Sequence, residues 1–99
     1  MSSFYAAKSL VNIVVIAEEC FGRDGLTREE LLRINGSTYK ADIDPVLDNF
    51  HPSYAANFIH LRKGRYTLRN KNNGFKPEEK LKELTQRLGH DPAEIFNPT

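Results

Sequence analysis

Residues 57–69, NFIHLRKGRYTLR, decide the fold that this chain is expected to adopt. Two runs of alternating apolar and polar residues flank Lys63 and Gly64, a pattern typical of a β-hairpin with a two-residue turn. That turn places Leu61 opposite Tyr66, whereas a three-residue loop with a glycine bulge would shift the pairing. Only the two-residue turn sorts apolar and polar side chains onto separate faces, so the pattern itself favours this register.

The two faces of the hairpin differ in chemistry because successive side chains of a strand point to opposite sides. The face expected to lie on a hydrophobic core holds Ile59, Leu61, Tyr66 and Leu68. The other face holds Phe58, His60, Arg62, Arg65, Thr67 and Arg69. A lone hairpin is marginal in water, so the remaining segments are expected to supply helices that cover the apolar face.

The charge of the chain is small in total but unevenly distributed. The 99 residues carry a formal net charge of +1, which by itself indicates no partner. Residues 49–77, however, contain no Asp or Glu, and the segments on either side of them are acidic. The basic residues of this stretch are Arg62, Lys63, Arg65, Arg69, Lys71 and Lys76. We therefore expect the hairpin at the positive end of the fold.

The composition argues against several classes of protein. A single cysteine, Cys20, excludes an internal disulfide, and the histidines are dispersed with no second ligand at zinc spacing. No phosphate-cradling glycine loop and no nucleophile motif is present in the sequence. We predict a protein that is not an enzyme and has no cofactor or bound metal.

The sequence also predicts no signal peptide and no membrane-spanning segment. No signal peptide is recognised, and the apolar run at residues 10–17 is far shorter than the ~20 residues that span a bilayer. A protein with no membrane partner, cytoplasmic or nucleoid-associated, is expected.

The N-terminal half predicts two helices. An apolar pattern with 3–4 spacing indicates a helix over residues 3–21, which Gly22 ends as a C-cap glycine. This helix is apolar almost all round, so it should be central or covered by another subunit. The sequence TREE at residues 27–30 is a capping box that opens a second helix over residues 28–34. Asn-Gly at residues 35–36 is expected to end it.

The segment that follows is ambiguous in the sequence. Ser37 or Thr38 could cap a third helix, but Pro45 disfavours the α conformation at Asp44. A short helix over residues 45–50, with Asp44 as its N-cap and Pro45 in the first helical position, fits better.

The C-terminal segment predicts one more helix and a final turn. Pro77 opens this helix and Gly89 closes it. Its apolar stripe consists of Leu81, Leu84 and Leu88, and Ile95 and Phe96 of the final turn are expected to pack back onto the domain.

The order of these elements resembles a winged-helix domain, in which three helices pack against a β-hairpin wing. The resemblance is carried by GLTREELL at residues 25–32 and by the strand pair FIHL at 58–61 and RYTLR at 65–69. It implies an α+β fold with a winged-helix domain at residues 1–76. Residues 77–99 are then a C-terminal helical extension of the same domain, of the kind through which such proteins often dimerise.

The same resemblance implies a reader of double-stranded DNA, with the third helix in the major groove and the wing on the backbone or in the minor groove. The candidate major-groove residues are Ser37, Thr38, Tyr39 and Lys40. The candidate phosphate contacts of the wing and the turn after it are Arg62, Lys63, Arg65, Arg69 and Lys71. Duplex DNA attracts such a cluster whatever its sequence. The alternative is a solvated hairpin edge whose charges prevent aggregation.

The third helix departs from the winged-helix pattern. The segment that should read bases carries Asp42, Asp44 and Asp48, which phosphates would repel. Either these carboxylates face away from the DNA, or this helix does not read DNA.

Two functions follow from the sequence. The leading prediction is a small non-enzymatic DNA-binding protein, a transcription regulator or architectural factor, acting as a homodimer through its first and last helices. The alternative is a winged-helix adaptor or inhibitor that contacts a protein of the transcription or nucleic-acid-processing machinery through the acidic third helix.

Overall fold

A computed structural model describes residues 3–49, 54–70 and 74–96 and gives the chain an α+β fold, with several helices and one two-stranded antiparallel sheet. The elements are α1 (Ser3–Val15), which continues as a π-helical segment (Ile16–Cys20), α2 (Arg28–Thr38), α3 (Asp44–Asp48), a 3₁₀ turn (Tyr54–Asn57), β1 (Ile59–Arg62), β2 (Arg65–Leu68), α4 (Pro77–Leu88) and α5 (Ala93–Phe96).

The hairpin forms in the predicted register. The pairs are Ile59 with Leu68, His60 with Thr67, Leu61 with Tyr66 and Arg62 with Arg65. Lys63 (φ +52°) and Gly64 (φ +78°) form the turn, and positive φ at both positions is what a two-residue hairpin turn of this kind requires. Ile59, Tyr66 and Leu68 are buried as expected, but Leu61 is 57% exposed, because the outer end of the hairpin extends beyond the helices.

Leu26, two residues before α2, connects the hairpin to the helices by backbone hydrogen bonds. Leu26 forms an isolated antiparallel bridge with Tyr66: its amide donates to the Tyr66 carbonyl at 3.1 Å, and the Tyr66 amide donates back at 2.8 Å. Gly25, just before it, has φ +79° and lies directly against β2.

The first helix is central to the core. α1 packs against α2, α3, β2 and the 3₁₀ turn, and α4 packs on the π-helical segment. Contacts within one chain therefore bury most of the apolar surface of this helix, although Phe4 and Tyr5 in its first turn are exposed. The predicted end of the first helix at Gly22 is confirmed. Gly22 has φ +65°, and the Arg23 amide donates a hydrogen bond to the Ala17 carbonyl at 2.9 Å.

The predicted end of the second helix is wrong. The Thr27–Glu30 capping box forms as expected, but α2 continues through Asn35 and Gly36 to Thr38. Asn35 is buried: its side-chain oxygen accepts from Ser9 and its amide nitrogen donates to the Ala41 carbonyl. These tertiary hydrogen bonds outweigh the local preference of Asn-Gly for a turn.

The third helix starts one residue earlier than expected. Asp44 is its first residue rather than its cap, and its amide donates to the Asp42 carboxylate at 3.1 Å. Ser37 and Thr38 lie inside α2, so neither caps this helix. Val46 and Leu47 are buried, whereas the predicted C-terminal residue of the helix, Phe50, lies outside the described residues.

The C-terminal elements match their predictions. α4 runs from Pro77 to Leu88, and Gly89 caps it with φ +78°. Leu84 is completely buried against the chain's own core, so a homodimer through this helix cannot use that side chain. Phe96 of α5 packs back as expected: its ring stacks on Phe21 with a centroid distance of 5.1 Å.

We expect Gly25→Ala to destabilise the fold by about 1–3 kcal/mol more than Gly22→Ala. Both glycines have positive φ, but a Cβ at position 25 would lie 2.5 Å from Thr67 Cγ2 and 3.0 Å from the Tyr66 carbonyl oxygen, whereas none of the described atoms lies within 4 Å of a Cβ at position 22. Urea denaturation of the two variants measures the difference. Equal losses would show that the contact between Gly25 and β2 relaxes freely.

A second stability prediction concerns pH. Burial raises the pKa of Glu30, but the hydrogen bonds from the Thr27 amide and the Arg23 guanidinium outweigh it and lower the pKa overall. Because the folded pKa lies below the unfolded one, the carboxylate stabilises the fold above the ordinary glutamate pKa of about 4.3, and this stabilisation is lost as the pH falls further.

Glu30→Gln keeps an acceptor oxygen for the capping box and removes the charge. We expect it to lower stability near neutral pH by about 1 kcal/mol, with the difference from the unsubstituted chain shrinking below pH ~4. Thermal melts across pH measure this, and Glu29→Gln is the control because Glu29 is the exposed acid beside it. Identical pH profiles for the two variants would contradict the assignment to Glu30.

Candidate nucleic-acid interface

Three cations gather at the tip of the hairpin. Arg62 and Arg65 face each other as the last pair of the ladder, and Lys63 lies in the turn between them. All three are exposed, and within the described part of the chain no carboxylate oxygen lies within 4.0 Å of their basic nitrogens. Like charges directly opposite each other destabilise a strand pair, so this tip gains from an anionic partner.

Two carboxylates lie on one side of these tip cations. Glu18 and Asp24 share with them a cleft of about 350 Å³ that also contains Thr67 and Leu68. Glu18 is engaged with the hairpin backbone, since its carboxylate accepts from the Leu68 amide at 3.2 Å. The positive field of the tip is therefore partly offset towards the cleft and is strongest on the side away from it.

Arg69 is separated from the tip. It lies four residues beyond Arg65, about 13 Å along an extended strand. Its Nε donates to the Ala56 carbonyl at 2.7 Å, which directs the side chain back towards the 3₁₀ turn. Lys71 lies outside the described residues.

The predicted major-groove residues lie at the other end of α2. This helix starts at Arg28, two residues after the Leu26 bridge, and its 11 residues span about 16 Å and end at Ser37 and Thr38. Ser37 is exposed, but Thr38 is 7% exposed and donates its hydroxyl to the Ile34 carbonyl. The structure therefore does not bring this group together with the tip cations.

The other two predicted major-groove residues, Tyr39 and Lys40, lie beside α1 and α4. Tyr39 is half-buried with the Arg87 guanidinium 5.3 Å from its ring centroid, and burial, with the nearby Glu83, raises the pKa of its phenol to about 12. Lys40 is exposed and lines a second cleft that also involves α1 and α4.

The exposed surface of α3 and of the loop before it is acidic. Asp42, Asp44 and Asp48 are all exposed, and Arg28 pairs with both Asp44 and Asp48. One guanidinium against three carboxylates leaves this surface negative. The helix is also only five residues long. A short acidic helix is repelled by phosphates and is poorly suited to the major groove.

Nothing in the described residues indicates a reactive centre. They contain no group of three or more histidine, cysteine or acidic side chains placed to hold a metal ion. Burial raises the pKa of the Cys20 thiol, and Glu19 and Glu78 raise it further, which disfavours the reactive thiolate. None of the helices described is long and apolar enough to cross a membrane.

The sequence reasoning missed a second group of cations. Lys8, Lys80 and Arg87 join Lys40 around the cleft between α1, the loop after α2 and α4. These residues are far apart in the chain and belong to three different elements, so no local pattern reveals them. The one available signal is the seven-residue spacing of Lys80 and Arg87, which places them on the same face of a helix.

Comparison of the chain with protein-family models, curated proteins and solved structures gives no match. The function must therefore be inferred from the geometry of this chain.

Proposed function

We propose that this chain is a small winged-helix protein that binds double-stranded DNA through the tip of its hairpin, as a regulator or architectural factor. The element order supports the fold: a central helix, a bridging residue, two further helices and a hairpin that pairs with that residue. The Leu26–Tyr66 bridge is the feature that ties the wing to the helices. No catalytic step is part of the proposal.

The observation that carries the proposal is the Arg62–Arg65 pair with Lys63 between them. Three exposed cations within four consecutive residues, none of them within 4.0 Å of a carboxylate oxygen among the described residues, favour a polyanion at the tip. Phosphate contacts of this kind fix a protein on DNA but carry no sequence information. Because α3 is acidic, we propose binding that depends on the DNA backbone and groove shape rather than on base reading.

The apolar side of the tip fits a narrow groove. Leu61 is 57% exposed and lies on the face opposite the arginines. Proteins that bind the minor groove combine arginine or lysine with apolar side chains that wedge between base steps. An exposed leucine on the other face of the same tip supplies the apolar part of that combination.

The salt dependence of DNA binding tests the role of the tip. We expect Arg65→Ala and Lys63→Ala each to reduce the slope of log affinity against log salt by about 0.9, because each removes one phosphate contact. Fluorescence anisotropy with a short duplex of mixed sequence measures this slope. Lys82→Ala is the control, because Lys82 is an exposed lysine on α4.

Two results would overturn the proposal. The first is an absence of duplex binding at low salt with micromolar protein. The second is the same slope for the tip variants as for Lys82→Ala.

A second candidate function is a protein adaptor, and the acidic outer side of α3 favours it. Asp42, Asp44 and Asp48 form an exposed negative surface that complements a basic protein surface rather than DNA. The hairpin tip and α3 would then contact different partners, or different parts of one partner.

The double variant Asp44→Asn/Asp48→Asn tests whether α3 lies near the duplex when the protein binds DNA. If α3 lies near the duplex in the DNA complex, removing two charges that repel phosphates strengthens binding by several-fold at low salt. Glu79→Gln/Glu94→Gln is the control, because it removes two exposed charges elsewhere. Affinities that match this control in the same anisotropy assay would place α3 outside the DNA contact and leave its acidic side available to a protein partner.

A further inference from the structure

A second cleft, distinct from the hairpin tip, lies between α1, the loop after α2 and α4, and has a volume of about 420 Å³. Its charged lining residues are Lys8, Lys40, Lys80, Arg87 and Glu83. Four cations against one carboxylate make the cleft positive, and the raised pKa of Tyr39 keeps that lining phenol neutral. The cleft therefore attracts an anion.

Lys80 at this cleft is a cation with neutral partners. Its ammonium donates to the Asn12 side-chain oxygen and lies 4.9 Å from the centroid of the Phe75 ring. Among the described residues, no carboxylate oxygen is within 4.0 Å of it. Burial lowers the pKa of Lys80; the charge of Glu83 raises it in part, and that of Lys8 lowers it again. A desolvated ammonium of this kind is stabilised by a bound anion.

Hydrogen bonds of two buried residues hold the loop that carries Lys40 in position. The Ser9 hydroxyl donates to the Asn35 side-chain oxygen at 2.6 Å, and the Asn35 amide nitrogen donates to the Ala41 carbonyl. Ser9 and Asn35 are buried, so these hydrogen bonds fix the loop beside Lys40. The cleft is therefore formed before any ligand arrives, which reduces the entropic cost of binding.

The single carboxylate among the described lining residues is already engaged. Glu83 Oε1 lies 3.3 Å from Arg87 Nη2, an ion pair between neighbouring turns of α4. Lys8 and Lys40 line the cleft from α1 and from the loop after α2, and the Lys8 ammonium lies 5.5 Å from the centroid of the Phe4 ring. Three lysines from three separate elements therefore line the same cleft.

We propose that this cleft binds a phosphate-bearing small molecule, with its phosphate groups between Lys8, Lys40 and Lys80 and Arg87 at the rim. Several cations around one cleft suit a phosphate, which carries more charge and more acceptor oxygens than a carboxylate. The volume is within the range of small-molecule sites. Tyr5, a lining residue that is 60% exposed, offers a ring on which a base can stack.

The site is separate from the proposed DNA contact. Lys8 and Glu18, which line the two different clefts, are ten residues apart on the first helix, about 15 Å along its axis. Failure of DNA binding at the hairpin tip would therefore leave the phosphate proposal intact, and the reverse also holds.

Isothermal titration calorimetry with pyrophosphate, ADP and adenosine tests the proposal. We expect saturable binding of pyrophosphate or ADP at micromolar to millimolar concentration and none of adenosine. Tighter binding of ADP than of pyrophosphate would identify a nucleotide ligand, and equal binding would identify the phosphates as sufficient. Either result supports the site.

Variants locate the binding in this cleft. Lys80→Met should weaken binding by about tenfold or more, because a charged hydrogen bond is lost. It should leave the melting temperature unchanged or raise it, because a desolvated charge is replaced by an apolar chain. Glu83→Gln should strengthen binding by removing a repulsive charge. Lys82→Met, on the same helix but exposed and outside the cleft lining, is the matched control.

Three results would overturn the proposal. They are an absence of both heat and thermal stabilisation with pyrophosphate and ADP at millimolar concentration, an equal loss of affinity in Lys80→Met and Lys82→Met, and a loss of binding in Arg65→Ala as large as that in Lys80→Met. The last would place the anion at the hairpin tip instead.

Discussion

The pairing of Leu26 with Tyr66 is the constraint on which the hairpin depends. A two-stranded hairpin is marginal by itself, and here two backbone hydrogen bonds join it to the residue before α2. Ile59 and Leu68 are buried in the same core. A shift of the register by one residue would expose both of them and break the bridge, so burial also fixes which side chains face outward. The exposed cations of the tip are thus a consequence of the same packing that stabilises the fold.

The elements that the sequence predicted correctly are those with local causes. The hairpin follows from period-two alternation around Lys63-Gly64, and the start of α2 from its capping box. Pro77 and Gly89 define α4 because one residue fits a helix start and the other a left-handed cap. The predicted end of α2 was wrong because Asn35 forms hydrogen bonds with Ser9, 26 positions before it, and with Ala41, six positions after it. A prediction from neighbouring residues alone does not include these contacts.

The candidate site was predicted in part, for the same reason. The sequence identifies which residues are basic, and the alternation of the hairpin identifies Arg62 and Arg65 as outward-facing. It does not show that α2 extends to Thr38 and carries Ser37 and Thr38 away from the hairpin. Nor does it show Lys8 beside Lys80, because that proximity depends on how α4 packs against the N-terminal helix. Charge distribution along a chain therefore locates a positive segment but not a positive cleft.

The two positive regions differ in how water screens them, and this difference separates their uses. Arg62, Lys63 and Arg65 extend into solvent, where the high dielectric weakens each interaction and salt weakens it further. Such a tip suits contacts with a long polyanion, in which many weak interactions add up and little selectivity arises. Lys80 is half-buried with neutral partners, so its interaction with an anion is less screened. On these two proposals, a small phosphate ligand in the cleft is held by few contacts, whereas DNA at the tip is held through its extended charge.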